Sequence, residues 1–314
     1  MTAVIVPLVA ALVLALLLTP VARQMAVRYG LVDRPVARSS HSKPIPFGGG
    51  HAIFITFWLA TLAFGGPLEA PLAGLLLGSV ILLVVCTIDD RRGLAALPRL
   101  LVQFFVAGIA YIAGVRIVQI ANPLEAWIGP EFIVMGLLEL PITVLWIAGV
   151  TNVMNWLDGL DGLAGGISAI AALTLAVVAL SNPQTLAIAV PLAALAGAVI
   201  GFLRYNFPPA SVFMGDSGAM FLGYMLASLS VLGAVKGPAA VVLVVPLLVL
   251  GLPLFDSANT MLQRLRRGRP IHKPDRGHLH HRLRDSGLST RETVLFLYGI
   301  TGLLCMIALG VWLK

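Results

Sequence analysis

Asp89 and Asp90 close a long apolar run, Leu72 to Ile88, and three further acidic groups repeat the habit: Asp158 with Asp161 in NWLDGLDG, Asp216 in MGDSG, and Asp256 in PLFDS. A carboxylate at the end of a membrane-length apolar segment is costly unless it is paired, hydrated or bound to a cation. Acids placed repeatedly in this way suit a divalent cation and a phosphorylated substrate. Mg²⁺ takes one or two carboxylates, keeps several waters and bridges phosphate oxygens, and in phosphoryl transfer it neutralises charge while protein groups position the nucleophile. The plainer alternative has each acid capping a helix or pairing with a neighbouring arginine, as Asp90 could with Arg91 or Arg92. That accounts for one acid at a time and poorly for the set.

Four polar segments accompany the acids. Asn152 to Gly166 (NVMNWLDGLDGLAGG) holds two Asn, two Asp and four Gly where a helix should finish. These residues abolish helix propensity, permit close backbone approach to a ligand and leave free amides at the start of the next helix. Phe207 to Gly218 (FPPASVFMGDSG) brings Phe213, a glycine and Asp216 to another helix start. There Asp216 could be only an N-cap, and Phe213 could be core or a stacking face for a base. His272 to Arg282 gathers four of the six histidines in a basic loop. Clustered histidines suit Zn²⁺, but cationic surroundings without cysteine favour hydrogen bonding of His278, His280, His281 and Arg282 to a pyrophosphate. Ser39 to Gly50 (SSHSKPIPFGGG) offers Lys43 and a glycine run, a weak signal for anion contact.

These groups must be carried by membrane helices. The chain of 314 residues is 59% hydrophobic and 11% charged, with a mean hydropathy of +0.96. Runs of roughly 17–25 apolar residues read as spans, and ten are expected: 3–20, 50–65, 70–88, 99–115, 137–152, 163–181, 185–203, 218–234, 238–256 and 293–313. Residues 1–20 lack a basic head and a small-residue cleavage site, so they read as a first span. No soluble linker interrupts the series, which makes 1–314 a single polytopic domain, all-α and integral to the membrane. Cys86 and Cys305 fall inside spans and read as small buried hydrophobes.

The net charge of +7 does not point to nucleic acid. With the amino terminus outside, only Arg116, Lys236 and Lys314 of the 21 Lys and Arg residues lie outside. The positive-inside rule then places both termini outside, and most cations are topology anchors that also meet anionic headgroups. The four acidic groups named above all fall on the inner, cytoplasmic face. Outside, the alternation of residues 116–120 and 131–134 around Asn122-Pro123 and Gly129-Pro130 suggests a small hairpin.

At the quoted motifs the chain resembles the polyprenyl-phosphate N-acetylhexosamine-1-phosphate transferase superfamily, in the family's order and over essentially the whole length. The resemblance implies a multi-pass plasma-membrane enzyme that transfers a sugar-1-phosphate from a UDP-sugar to a polyprenyl phosphate, undecaprenyl or decaprenyl, with release of UMP. Mg²⁺ is the implied cofactor, with Mn²⁺ an admissible substitute. It further implies that Asp216 ligates the metal and that Asp89, beside Asp90, activates or positions the lipid phosphate. Asn155, Asp158 and Asp161 would hold the nucleotide and pyrophosphate, and Lys43, Phe213, His280 and His281 would line the nucleotide-sugar pocket. The His278-Leu279-His280-His281 form resembles the branch using UDP-N-acetylglucosamine more than the branch transferring phospho-MurNAc-pentapeptide. A homodimer is compatible with the sequence. The rival class is an ion-coupled secondary transporter, which predicts mid-span acids and matching halves; the acids here cluster at one face, without an internal repeat.

Overall fold

Long apolar runs in lipid have no water for their backbone groups, so helices, which satisfy every N–H and C=O internally, are the available fold. The computed structural model describes residues 2–33, 35, 43–121, 132–234, 244–266 and 279–312. In chain order its helices are α1 (Thr2–Arg28), α2 (Gly49–Phe64), α3 (Ala70–Arg92), α4 (Ala96–Ile112), α5 (Glu139–Leu157), α6 (Leu163–Leu180), α7 (Leu186–Asn206), α8 (Gly215–Ala234), α9 (Val244–Val249), α10 (Gly251–Arg266), α11 (Leu279–Asp285) and α12 (Thr290–Trp312). Among the described residues six stretches are long and apolar enough to cross a membrane: Val4–Arg28, Ala70–Arg92, Gly136–Leu157, Leu163–Leu180, Leu186–Asn206 and Thr290–Trp312. Gly49–Phe64 and Ala96–Ile112 are shorter apolar helices. The expected all-α membrane class holds at this level.

α6 and α7 form the centre, with 78% and 72% of their apolar windows buried, against 22% for α1 and 28% for α12. Small residues make the central packing close. A Cβ on Gly197 of α7 would stand 2.1 Å from the Leu8 carbonyl oxygen of α1, and one on Gly201 would stand 2.6 Å from that of Leu12. The facing Ala11 and Ala15 are fully buried. The same device seats α8 on α5, where a Cβ on Gly223 would lie 2.7 Å from Thr151 Cα.

Several expected boundaries move. The third span ends at Arg92, not 88, and the fifth stays helical through Asn152 and Asn155 to Leu157, where its end was expected at 152. Burial of this face outweighs the weak helix propensity of asparagine. The first span, expected to stop at 20, continues through Pro20 to Arg28. Proline removes the amide that would bond the Leu16 carbonyl, and the Tyr205 hydroxyl of α7 donates to that oxygen instead, at 2.9 Å. The ninth span, expected at 238–256, breaks at Leu250 between α9 and α10, and α10 runs on to Arg266. Pro246, Gly251 and Pro253 concentrate helix-breaking residues at this point. Residues 235–243 lie outside the described residues.

The expected hairpin is present. β3 (Gln119–Ala121) and β4 (Phe132–Val134) pair antiparallel, with Ile120 opposite Ile133, at the end of the bundle where α4 finishes and α5 begins. A second pair was not foreseen: β1 (Val32–Asp33) runs antiparallel to β2 (Ile45–Pro46). Strands of two residues are too short to show a period in sequence. Cys86 and Cys305 are buried free thiols, as expected.

Candidate active site

The acids meet at the bundle end where α3, α5 and α7 finish and α4, α6 and α8 begin. α3 ends on Gly93, whose left-handed conformation (φ 66°) lets its amide close on the Asp89 carbonyl at 2.8 Å. The tight turn aims the Asp89 side chain inward. Its Oδ1 accepts the Leu94 amide at 2.5 Å. Its Oδ2 accepts Arg99 Nη1 at 3.1 Å, while the same Nη1 donates to Asp216 Oδ2 at 2.7 Å. Arg99, in the first turn of α4, is therefore a bridge between two acids 127 positions apart in sequence. Asp89 is sealed, at 4% side-chain exposure, whereas Arg99 and Asp216 keep about a third of theirs, at 31% and 32%.

Asp90 faces the start of α8. Its Oδ1 accepts the Asp216 amide at 2.8 Å and its Oδ2 the Ser217 amide at 3.4 Å. A helix begins with amides that lack intrahelical partners, and here the cap comes from another helix. The sequence left open whether Asp216 caps its own helix; Asp90 does that work and leaves the Asp216 carboxylate for other partners. Gly215 is required where it stands, with φ 73°, and a Cβ there would meet Asp90 Oδ2 at 2.7 Å.

The α5–α6 turn supplies the opposite wall. Asn155 stands close to Asp216 in this wall, with its Nδ2 buried and unpartnered among the described residues. Asp158, the cap of α5, is pushed up to about 8, first by burial and then by the negative charges of Asp216, Asp90 and Asp161. Asp161 has a bracing role: its Oδ2 accepts the Ala210 amide at 2.9 Å, tying this turn to the α7–α8 loop. Asn206 ties the same loops, accepting from the Gly162 amide at 3.0 Å and donating to the Val212 carbonyl at 2.9 Å. Tyr298 of α12 completes the clamp, its hydroxyl 2.5 Å from the Gly162 carbonyl.

Of the expected pocket residues, Phe213 sits where the α1–α2 and α7–α8 loops join. Its amide donates to the Pro46 carbonyl at 2.9 Å, and the Gly49 amide donates to the Phe213 carbonyl at 3.0 Å. Its ring is tilted against Phe47 with centroids 6.1 Å apart. The Gly48-Gly49-Gly50 run serves this seam: Cβ atoms there would come within 2.7 Å of Ala22 O, 2.2 Å of the Phe202 ring and 2.4 Å of Gly218 N. Close packing, more than anion binding, explains these glycines. Lys43 is exposed at the edge. His280 is buried against the Asp158–Asp161 turn, where a Cβ on Gly159 would stand 2.6 Å from its Nε2. Arg282 is exposed; His278 and the side chain of His281 lie outside the described residues.

The family-4 glycosyl transferase profile matches residues 72–234. A probable undecaprenyl-phosphate N-acetylglucosaminyl 1-phosphate transferase of Bacillus subtilis is 38% identical over 95% of this chain and 82% of its own length. The chain belongs to glycosyl transferase family 4. A decaprenyl-phosphate N-acetylglucosaminephosphotransferase of Mycobacterium tuberculosis is 33% identical over 88% of this chain and 74% of its own. An undecaprenyl-phosphate alpha-N-acetylglucosaminyl 1-phosphate transferase of Yersinia pestis is 30% identical over 91% and 78%.

The family match runs from α3 to α8 and so encloses Asp89, Asp90, Arg99, Asn155, Asp158, Asp161 and Asp216. Among the described residues no three acidic, histidine or cysteine side chains already close round an ion. A hard cation that takes one or two carboxylates and completes its shell with water and phosphate does not need such a cage. Asp216, Asp89, Asp158 and Asn155 are oxygen donors of the right kind, and their crowding leaves negative charge to be balanced.

One turn deeper, the same four helices meet again in a buried polar layer. Gln103 of α4 and Asn152 of α5 hydrogen-bond to each other through both carboxamides. Gln103 also donates to Met220 Sδ of α8 at 3.4 Å, and Cys86 Sγ of α3 lies 3.3 Å from that sulfur. Sequence reasoning missed this layer, the bridging role of Arg99, and Asn206. Arg99 falls among the inner cations that charge distribution alone assigns to topology, although its place just after Pro98 and ten residues after Asp89 is a local signal. Gln103 and Asn152 are single polar residues in or at the edge of apolar spans, a pattern that favours a buried partner.

Proposed function

We propose that this family-4 enzyme transfers N-acetylhexosamine-1-phosphate, specifically GlcNAc-1-phosphate, from a UDP-sugar to a polyprenyl phosphate. In this reading a lipid phosphate oxygen forms the new bond to the β-phosphorus of the donor. The bond from that phosphorus to the oxygen bridging the two phosphates breaks, and UMP leaves with the electron pair. The observation that carries the reading is the convergence of Asp89, Asp158 and Asp216 on one end of the bundle, with Arg99 bridging Asp89 and Asp216, in a chain whose relatives are named for this transfer.

Asp216, with Asp158 and Asn155 beside it, would hold Mg²⁺, with Mn²⁺ able to substitute; the bound ion supplies charge neutralisation on the pyrophosphate. Asp89 lies across the Arg99 bridge from Asp216, a place suited to orienting the incoming lipid phosphate while Arg99 offers it a counter-charge. Asp90 keeps the α8 start rigid so that Asp216 does not move with it. Lys43, Phe213, His280, His281 and Arg282, with His278, make up the nucleotide-sugar side of the proposal. One phosphoanhydride replaces another, so positioning and electrostatics account for most of the catalysis.

The charge distribution supports ten crossings with both termini outside and a cytoplasmic site in the plasma membrane. Product on a polyprenyl carrier fits the first membrane step of a cell-wall or surface-polysaccharide pathway. The test is release of UMP from UDP-GlcNAc by the purified protein with polyprenyl phosphate and Mg²⁺, run beside a panel of other UDP-amino-sugars. Turnover strongest with UDP-GlcNAc supports the specific reading; no turnover with any of them sinks it.

A further inference from the structure

Asp256 is the one acidic motif that the cluster does not absorb. It lies in the second turn of α10, only 5% exposed. The charges that act on Asp158 are those of Asp216, Asp90 and Asp161. Asp256 instead directs Oδ1 to a backbone amide, that of Leu279, at 2.7 Å. Leu279 is the first residue of α11, and the next residue, His280, is 1% exposed and packed over Gly159. A continuous path therefore runs from Asp256 through the Leu279 amide and His280 to the turn that carries Asp158.

α11 has seven residues, too few to be stable from its own hydrogen bonds. Its entry point must be held by tertiary contacts, and a side-chain oxygen on its first amide satisfies that donor. A buried acceptor on one helix locating the start of another controls direction as well as stability. Rotation of α11 about its start would lift the His280 ring from Gly159.

We propose that Asp256 is a positioning residue for the donor side of the site: its carboxylate fixes the start of α11 and thereby holds His280 against the Asp158–Asp161 turn. The role needs a hydrogen-bond acceptor and neither a proton donor nor a metal ligand. It rests on the reading of His280 as part of the nucleotide-sugar pocket. Asp256→Asn keeps an oxygen that can accept from Leu279, whereas Asp256→Ala does not. Leu279→Pro removes the donor while leaving the carboxylate, at a first helical position where proline is tolerated.

The experiment uses the full chain purified in detergent, with UMP release read against UDP-GlcNAc concentration and hydrogen–deuterium exchange read over Leu279–Asp285. Asp256→Asn should keep kcat and KM within a few-fold of the parent. Asp256→Ala and Leu279→Pro should each raise KM for the UDP-sugar by about tenfold, the scale of one lost hydrogen bond, with kcat changed less. The same two variants should speed exchange in α11, and Asp256→Asn should not. Asp256→Asn as impaired as Asp256→Ala would overturn the proposal, because the charge or proton would then be what matters. A loss confined to kcat would overturn it too. So would unchanged α11 exchange in Asp256→Ala, which is readable even if the parent protein releases no UMP, the outcome that counts against the transferase reading instead.

Discussion

Arg99 Nη1 lies 2.7 Å from Asp216 Oδ2, joining the first turn of α4 to the first turn of α8 across 117 positions of sequence. The same nitrogen reaches Asp89. The two carboxylates proposed for the cation and for the lipid phosphate are thus held together by a charge belonging to the protein. The guanidinium opposes their repulsion and keeps the site assembled before substrate arrives.

Replacing Arg99 with Leu should therefore have two effects of opposite appearance. Turnover should fall about 10–100-fold, since charge-assisted hydrogen bonds contribute about 1.5–3 kcal/mol and each 1.4 kcal/mol is tenfold in rate. Stabilisation of the protein by Mg²⁺ should grow, because Asp89 and Asp216 then lack their resident counter-charge. A Mg²⁺ titration followed by thermal unfolding measures the second effect. Parental turnover together with a parental Mg²⁺ response in Arg99→Leu would count against the bridge.

Asp90 and Asp216 are neighbours with different work, and substitutions should separate them. Asp90→Ala removes the cap of α8 and should lower stability by about 1 kcal/mol. Asp216→Asn should unfold near the parental temperature yet lose Mg²⁺-dependent turnover. Gly215→Ala should resemble Asp90→Ala and exceed it, because a left-handed alanine costs about 1–2 kcal/mol and its Cβ presses on Asp90 Oδ2. If Asp90→Ala unfolds at the parental temperature, capping is not its contribution.

The acidity of Asp158 predicts a pH-dependent response to metal. Its carboxyl is raised from 3.8 to about 8 by burial and then by Asp216, Asp90 and Asp161. Between those values the folded metal-free protein binds more protons than the unfolded chain, so its stability falls as pH rises through this window. A bound cation favours the ionised carboxylates and removes that loss. The rise in unfolding temperature on adding Mg²⁺ should accordingly be small near about pH 5.5 and larger near about pH 8. A rise that is independent of pH would place Asp158 outside the cation site.

Gln103 and Asn152 should behave as a unit. Asn152→Leu leaves the buried Gln103 carboxamide without that partner and should cost about 1–3 kcal/mol. Gln103→Leu should cost less, because Asn152 is half-buried and still donates to the Ala148 carbonyl. The double variant should cost less than the sum, with a coupling energy of about 0.5–1.5 kcal/mol, the range for hydrogen bonds between membrane helices. A double-mutant cycle by unfolding in detergent measures it, and additive losses would mean that the two groups do not act together.

Much of this protein can be read from residue order alone. Apolar run lengths specify the helices because lipid leaves the backbone few alternatives, and Asp89, Asp158 and Asp216 stand out because charge is so rare in such a chain. The hairpin of β3 and β4 is legible from local alternation. Contacts between distant segments are different: nothing near Asp90 says that its oxygens meet the amides of residues 216 and 217, nor near Pro20 that Tyr205 repairs the bond it removes. Likewise Arg99 looked like a membrane anchor and Asp256 like a member of the acid cluster, until packing gave one two carboxylates and the other the start of α11. Sequence by itself determined which side chains are expensive enough to need a partner. The tertiary structure decided who the partners are, because pairing across a hundred residues depends on how helices stack, and stacking is set by small residues such as Gly197, Gly201 and Gly223 that carry no chemistry of their own.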